Sequence, residues 1–484
     1  MSVTDRATRG LAWVTGAALV TKVVSTFGQI ALAWFLLPED FGAVAMAYSV
    51  MAFVNVLQQA GSAEVLLSRP KRFERWSSLA LWMNLVIGVG AMAVVAGLAP
   101  LAARAFDAPV VAPLLLVLAL ATPLSAVTAV PTAKLRLALR FRAIALTQFL
   151  LALSRTGMAI GLAAADFGPY SFVLPVPVTQ AMLLVLLWRL ARPRVDRRLQ
   201  LRRWRYLLGD SVMLVASRGL NTVLWQVDYM ILGLFHPKAV VGLYFFGFNL
   251  SIQTLRLFAG NFAQVMLPAL ANVKGGPARQ TAEFIKAIRL LAVVALPLSV
   301  LQALLADPLV RLVFDERWYS AIGILQALSI GMAFRLVGSP AGTLMQAHRR
   351  YRTILAVNAV YAALFIATIA LAAWLGDGLT VAIAAAAFFA VLGPAHLIIA
   401  VQGRGGSWRD IASLFGAATG VVTLPAAVGL ALTYFIDAQA WPDYLFEAAT
   451  CSFVFGVCYL LALRVGLPAD FQQITRRVRG LLRK

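Results

Sequence analysis

Charge, cysteine and imidazole are all scarce in this chain: 13% of its 484 residues are charged, two are cysteine and three are histidine. Each scarcity removes a class of protein. Cys451 and Cys458 share one apolar run with no cysteine elsewhere, which excludes a disulfide framework and a cysteine metal site. His236, His348 and His396 fall in different segments with no neighbour at metal-ligand spacing, so they read as packing or interfacial residues. No Walker motif occurs. No loop between apolar runs exceeds roughly 20 residues, which leaves no room for a soluble catalytic or nucleotide-binding domain.

What is abundant is apolar surface. The chain is 61% hydrophobic with a mean hydropathy of +0.83, outside the range of water-soluble domains. A spanning helix needs roughly 20 mainly apolar residues, because backbone groups in hydrocarbon must bond within their own segment. Continuous runs such as Leu79 to Ala103 and Ile354 to Leu375 fit helices. A closed barrel would instead show segments of about ten residues alternating apolar and polar. The expected architecture is all-α and polytopic, with about fourteen spans: 11–37, 41–66, 77–103, 110–131, 144–165, 167–190, 207–235, 239–270, 287–306, 320–346, 353–375, 379–401, 411–436 and 443–463. The first run lacks a small-residue cleavage site and is read as an uncleaved span.

The formal charge of +22 is explained by its placement. Arg104, Lys238, Arg311 and Arg317 fall on one side and Lys22, Arg155, Arg218, Arg256 and Arg335 within spans, while the rest of the 42 basic residues fall on the other side. The positive-inside rule makes that side cytoplasmic, with both termini in the cytoplasm and the protein in a bacterial inner membrane. Such charge orients the chain and touches lipid headgroups; no nucleic-acid partner is implied. Tryptophans near helix ends, Trp34, Trp76, Trp188, Trp318, Trp374 and Trp441 among them, read as interfacial anchors. In the tail, Phe471, Ile474, Val478 and Leu481 share a helical face beside Arg476, Arg477, Arg479 and Arg483, which fits either a helix on anionic headgroups or a solvated basic tail.

An internal repeat is present. Leu37-Pro38 followed by Gly42 returns as His236-Pro237 followed by Gly242, an offset of about 200 residues. Pro131, Leu135, Ala138 and Arg140-Phe141-Arg142 return as Pro340, Leu344, Ala347 and Arg350-Tyr351-Arg352, an offset of about 210. The expectation is two six-helix lobes related by a pseudo-two-fold axis along the membrane normal. They comprise an N-lobe at 1–190, a basic cytoplasmic linker at 191–206 and a C-lobe at 207–402. Two extra spans and a basic tail follow at 403–484.

Polar residues inside spans are the informative ones, because a charge at the bilayer centre costs roughly 2.5–3.5 kcal/mol on insertion scales. Lys22, Ser25 and Gln29 share a face of the first span; Tyr48, Asn55, Gln59 and Ser62 of the second; Arg218, Asn221, Trp225 and Asp228 of the seventh; Asn249, Gln253 and Arg256 of the eighth. The expectation is one central cavity lined by Lys22, Gln29, Asn55, Gln59, Arg218, Asn221, Asp228, Gln253 and Arg256. Arg155 and Arg335 either add to it or brace a lobe, and interhelical hydrogen bonding is the alternative for all of them. The excess of cations attracts an anion such as a phosphate. Asp228 either neutralises a nearby arginine or binds a coupling proton or sodium ion. No cofactor, catalytic residue or metal site is indicated.

With Leu37-Pro38-Glu39-Asp40-Phe41-Gly42, the Ala-rich span that follows, Arg69 to Arg75 and Arg140-Phe141-Arg142, roughly the first 400 residues resemble the polysaccharide-transport (Wzx-type) flippases of the multidrug/oligosaccharidyl-lipid/polysaccharide exporter superfamily. The resemblance implies a two-lobed fold that moves an undecaprenyl-pyrophosphate-linked oligosaccharide outward by alternating access, for lipopolysaccharide or exopolysaccharide synthesis, with a polysaccharide polymerase as a partner in that pathway. Lys22, Arg218 and Arg256 match its cavity cations. A multidrug or cation exporter of the same fold is the first rival and calls for several membrane carboxylates, which this sequence largely lacks. A membrane-embedded polymerase or ligase is the second, and calls for a large external loop or a carboxylate constellation.

Overall fold

The computed structural model describes residues 3–58, 73–193, 211–259, 266–267, 269–270, 272–436, 440–472 and 475–476. All fourteen expected segments are helical within these limits. The first two are α1 (Val3–Phe35) and α2 (Pro38–Gln58), the third is α3 (Phe73–Ala105), and the fourth is split into α4 (Val111–Ala119) and α5 (Ala121–Leu137). Then come α6 (Phe141–Ala164), the pair α7 (Tyr170–Val173) and α8 (Pro175–Ala191), α9 (Ser211–Phe235) and α10 (Lys238–Ala259). The remainder are α11 (Gly276–Val313), α12 (Ile322–Gly338), α13 (Ala341–Ala347), α14 (Tyr351–Leu375), α15 (Gly378–Val401), α16 (Trp408–Phe435) and α17 (Trp441–Gly466).

Among the described residues, ten helical spans are long and apolar enough to cross a membrane. They are the third to sixth and ninth to fourteenth segments, and the chain is a multi-pass membrane protein. The other four helices, α1, α2, α9 and α10, are those that carry the polar stripes.

Packing divides the chain into two compact units, Met1–Gly242 and Leu243–Lys484. In the first, α1 lies along α6, α2 meets α3, α4 and α9, and α5 is held between α3 and α8. Gly28 makes the α1–α6 approach close, since a Cβ there would overlap the side chain of Thr156. At the start of α2 the backbone meets the start of α10: a Cβ on Gly42 would overlap the Lys238 carbonyl, and one on Gly242 the Pro38 carbonyl. Glu39 and Lys238 pair beside this crossing at 2.8 Å.

In the second unit α12 packs along α15, while α11 touches α12, α16 and α17. Gly331 faces Ala386 and Gly338 faces Gly393, so small residues let these helices approach backbone to backbone. Aromatic packing closes one end, with Trp318 fully buried and its ring 4.3 Å from that of Phe246. After α17 the chain turns back, and Asp470 meets Arg289 of α11 at 2.9 Å.

The repeat is visible in local geometry. Leu139 and Arg349 both adopt left-handed backbone, at φ 53° and 57°. Each precedes an arginine that opens the next helix and reaches across to another: Arg140 donates to the Leu190 carbonyl at 2.9 Å and Arg350 to that of Ile399 at 3.0 Å. These groups are C-terminal carbonyls of α8 and α15, which have no partner within their own helices.

Candidate functional site

Inside the first unit lies a chamber of about 450 Å³ with a mixed polar and apolar lining. Helix α1 supplies Thr21, Ser25, Gln29 and Leu32, which share a face by helical spacing. Tyr48 comes from α2; Gln148, Leu151, Ala152, Arg155, Thr156 and Ala159 come from α6; Phe172, Thr179, Gln180 and Leu183 close it from α7 and α8. Among the described residues the lining holds one cation, Arg155, and no carboxylate.

Arg155 sits mid-helix and exposed to this space. Its guanidinium donates to the Tyr48 hydroxyl at 3.3 Å, and that hydroxyl donates to the Phe172 carbonyl at 3.2 Å. No ion pair joins it to a carboxylate among the described residues. A guanidinium offers five donors, so most of its capacity faces the chamber. Two buried polar groups of lining residues, the Thr21 hydroxyl and Gln180 Oε1, have no hydrogen-bond partner among the described residues.

Of the residues expected from the sequence, Gln29 and Arg155 meet here, together with Ser25 and Tyr48 of the polar stripes. Lys22 is half-buried on α1, next to Thr21. Asn55 on α2 and Asn221 on α9 are exposed, and α2 and α9 pack together. Asp228 is buried, 1% exposed, and accepts from the Tyr229 amide at 3.0 Å. In the second unit Gln253 is half-buried on α10, and Arg335 lies over the Phe389 ring at 4.3 Å. Gln59 lies outside the described residues, as do the side chains of Arg218 and Arg256.

Gln148, Thr156, Thr179 and Gln180 were not singled out by sequence. Gln148 and Arg155 stand two helical turns apart on α6, a spacing that would have flagged the pair.

Comparison with known proteins agrees with this architecture. The lipopolysaccharide biosynthesis protein WzxC of Escherichia coli (strain K12) is 24% identical over 383 residues, 76% of this chain and 75% of that one. The teichuronic acid biosynthesis protein TuaB of Bacillus subtilis (strain 168) is 21% identical over 352 residues, 72% and 73% of the two chains. In fold, the lipid II flippase MurJ in an inward closed conformation superposes with a TM-score of 0.76 at 13% identity, over 93% of this chain and 98% of that one. An inward-facing multidrug resistance MATE transporter gives 0.58 at 12% identity, over 81% and 95%. The polysaccharide biosynthesis protein family matches residues 31–323, more than half of the sequence, and the chain belongs to that family.

Proposed function

We propose that this protein is a flippase, not an enzyme, and that it carries a polyprenyl-pyrophosphate-linked oligosaccharide from the cytoplasmic to the outer leaflet of a bacterial inner membrane for surface polysaccharide synthesis. The observation that carries the reading is Arg155: a mid-span guanidinium with no carboxylate partner among the described residues, open to a chamber whose described lining includes no acidic residue. A charge so placed needs water or an anion. Family membership, the biosynthetic roles named for WzxC and TuaB, and the fold shared with the lipid II flippase support the same reading. The described lining, which includes no carboxylate, argues against a cation exporter of this fold.

The proposal extends to mechanism. Lobes at 1–190 and 207–402 alternate access to the two leaflets, with both termini cytoplasmic. Lys22, Arg218 and Arg256 hold the pyrophosphate of an undecaprenyl carrier, while Gln29, Asn55, Gln59, Asn221 and Gln253 face the glycan. Asp228 balances a neighbouring cation or takes a coupling proton or sodium ion. A polysaccharide polymerase receives the product.

The test is reconstitution in proteoliposomes with a fluorescent polyprenyl-pyrophosphate glycan. The expected result is leaflet exchange well above that of protein-free vesicles. Exchange no faster than in empty vesicles overturns the proposal.

A further inference from the structure

The second unit gathers basic side chains at one face, where two helices end and two begin. His348 closes α13, Arg350 opens α14, and Arg404 stands in the short loop from α15 to α16. We propose that this cluster binds the headgroup of an anionic glycerophospholipid, held through its phosphate by Arg404 and His348. The inference concerns the protein's hold on its own membrane and does not depend on what it carries.

The imidazole points to a ligand. Its Nδ1 and Nε2 are both buried, and neither has a hydrogen-bond partner among the described residues. A neutral imidazole presents one donor and one acceptor, so both capacities stand unused. Burial, and then the guanidinium cations of Arg404 and Arg350, hold the ring's pKa below its ordinary value. An anion placed between ring and guanidinium relieves both conditions. A phosphate oxygen accepts from the ring N–H and offsets the cations, while a glycerol hydroxyl of the headgroup donates to the other nitrogen. Contact requires the imidazole to turn outward, and that rotation breaks no hydrogen bond of the ring to the described residues.

The surroundings leave Arg404 available and set its depth. Arg350 is committed to the carbonyls of Ile399 and Ala400, and Asp410, the carboxylate that follows this loop, accepts from the Ser407 amide and hydroxyl at 2.7 and 2.8 Å. Arg404 is exposed, between two glycines in left-handed backbone, Gly403 and Gly405 at φ 72° and 87°. A Cβ on Gly405 would overlap Ala278 of α11, so the loop is seated closely against that helix. Two exposed aromatic residues, Tyr351 and Trp408, begin α14 and α16 beside the cluster. Aromatic side chains of this kind sit at headgroup level, where lipid phosphate is the anion at hand.

The experiment uses the full chain purified in detergent and given an equal mixture of phosphatidylglycerol and phosphatidylcholine, with native mass spectrometry counting the lipid that stays bound. Wild type should retain phosphatidylglycerol in preference. Arg404→Gln should cut that preference about fivefold, the worth of one arginine at an anionic surface. His348→Leu should weaken it as well, and His348→Gln, which keeps a donor and an acceptor, should recover part. Arg352→Gln, at an exposed arginine in the first turn of α14, controls for general basic attraction and should change the ratio little. Thermal unfolding verifies that each variant is folded. Equal retention of the two lipids by wild type overturns the proposal, as does a preference that survives in folded Arg404→Gln or His348→Leu. An equal loss in Arg352→Gln makes the attraction diffuse and rejects the site. Displacement of the lipid by soluble glycerol phosphate at comparable concentration makes it a site for free phosphate esters and rejects the lipid assignment.

Discussion

The Arg350 guanidinium donates to the Ile399 carbonyl at 3.0 Å and lies 3.4 Å from that of Ala400, so one side chain that opens α14 caps the end of α15. Arg140 does the same from α6 to α8, and each arginine follows a residue in left-handed backbone. The repeated Arg-aromatic-Arg motif is therefore a structural clasp between neighbouring helices.

Removing the clasp should cost stability. Arg350→Ala deletes hydrogen bonds from a charged donor to partly buried carbonyls and is expected to lose about 1–3 kcal/mol. Arg140→Ala, whose bond is exposed, should lose less. Thermal unfolding of the purified variants compares them; equal, negligible effects would contradict the assignment.

The helix crossing at Gly42 and Gly242 predicts a sharp contrast between neighbours. Gly42→Val places side-chain atoms where the Lys238 carbonyl stands and should destabilise by ~1–3 kcal/mol or more, as overpacking does. Glu39→Gln breaks only an exposed ion pair and should stay within ~1 kcal/mol of wild type. Yield of folded protein and its unfolding temperature separate the two.

His348, in the turn between α13 and α14, lies outside the spans and gives a pH signature. Burial, and then the charges of Arg404 and Arg350, hold its imidazole pKa below the ordinary value. The unfolded chain gains this proton near pH ~6.5 while the folded chain still refuses it, so stability falls as the solution is acidified through that range. His348→Gln should flatten the decline between roughly pH 7 and pH 5. A variant with unchanged acid sensitivity would show that His348 does not contribute.

Arg218 and Arg256 carry the proposed pyrophosphate grip. The double substitution to alanine is expected to abolish leaflet exchange while the protein still folds and reaches the membrane. Exchange assays on matched amounts of purified protein decide, and undiminished transport would remove both residues from the mechanism.

The span pattern and the repeat were legible because both are written in local sequence: apolar runs of bilayer length, and proline, glycine and arginine at recurring positions. The chamber was half legible. Periodicity placed Ser25 with Gln29 on one face of α1 and marked Arg155 as a mid-span charge. It gave no means of seeing that α1 lies against α6, because that contact depends on Gly28 meeting Thr156, two residues that no pattern links. Gln180 stayed hidden for the same reason, being a lone amide on an otherwise ordinary helix until its neighbours are known.

The described lining around Arg155, which includes no carboxylate, bears on small ions as well as on cargo. Fixed positive charge repels hydronium and sodium, and with no carboxylate among the described residues of the wall neither finds a stepping stone there. A chamber of about 450 Å³ lined in this way is a poor resting place for small cations.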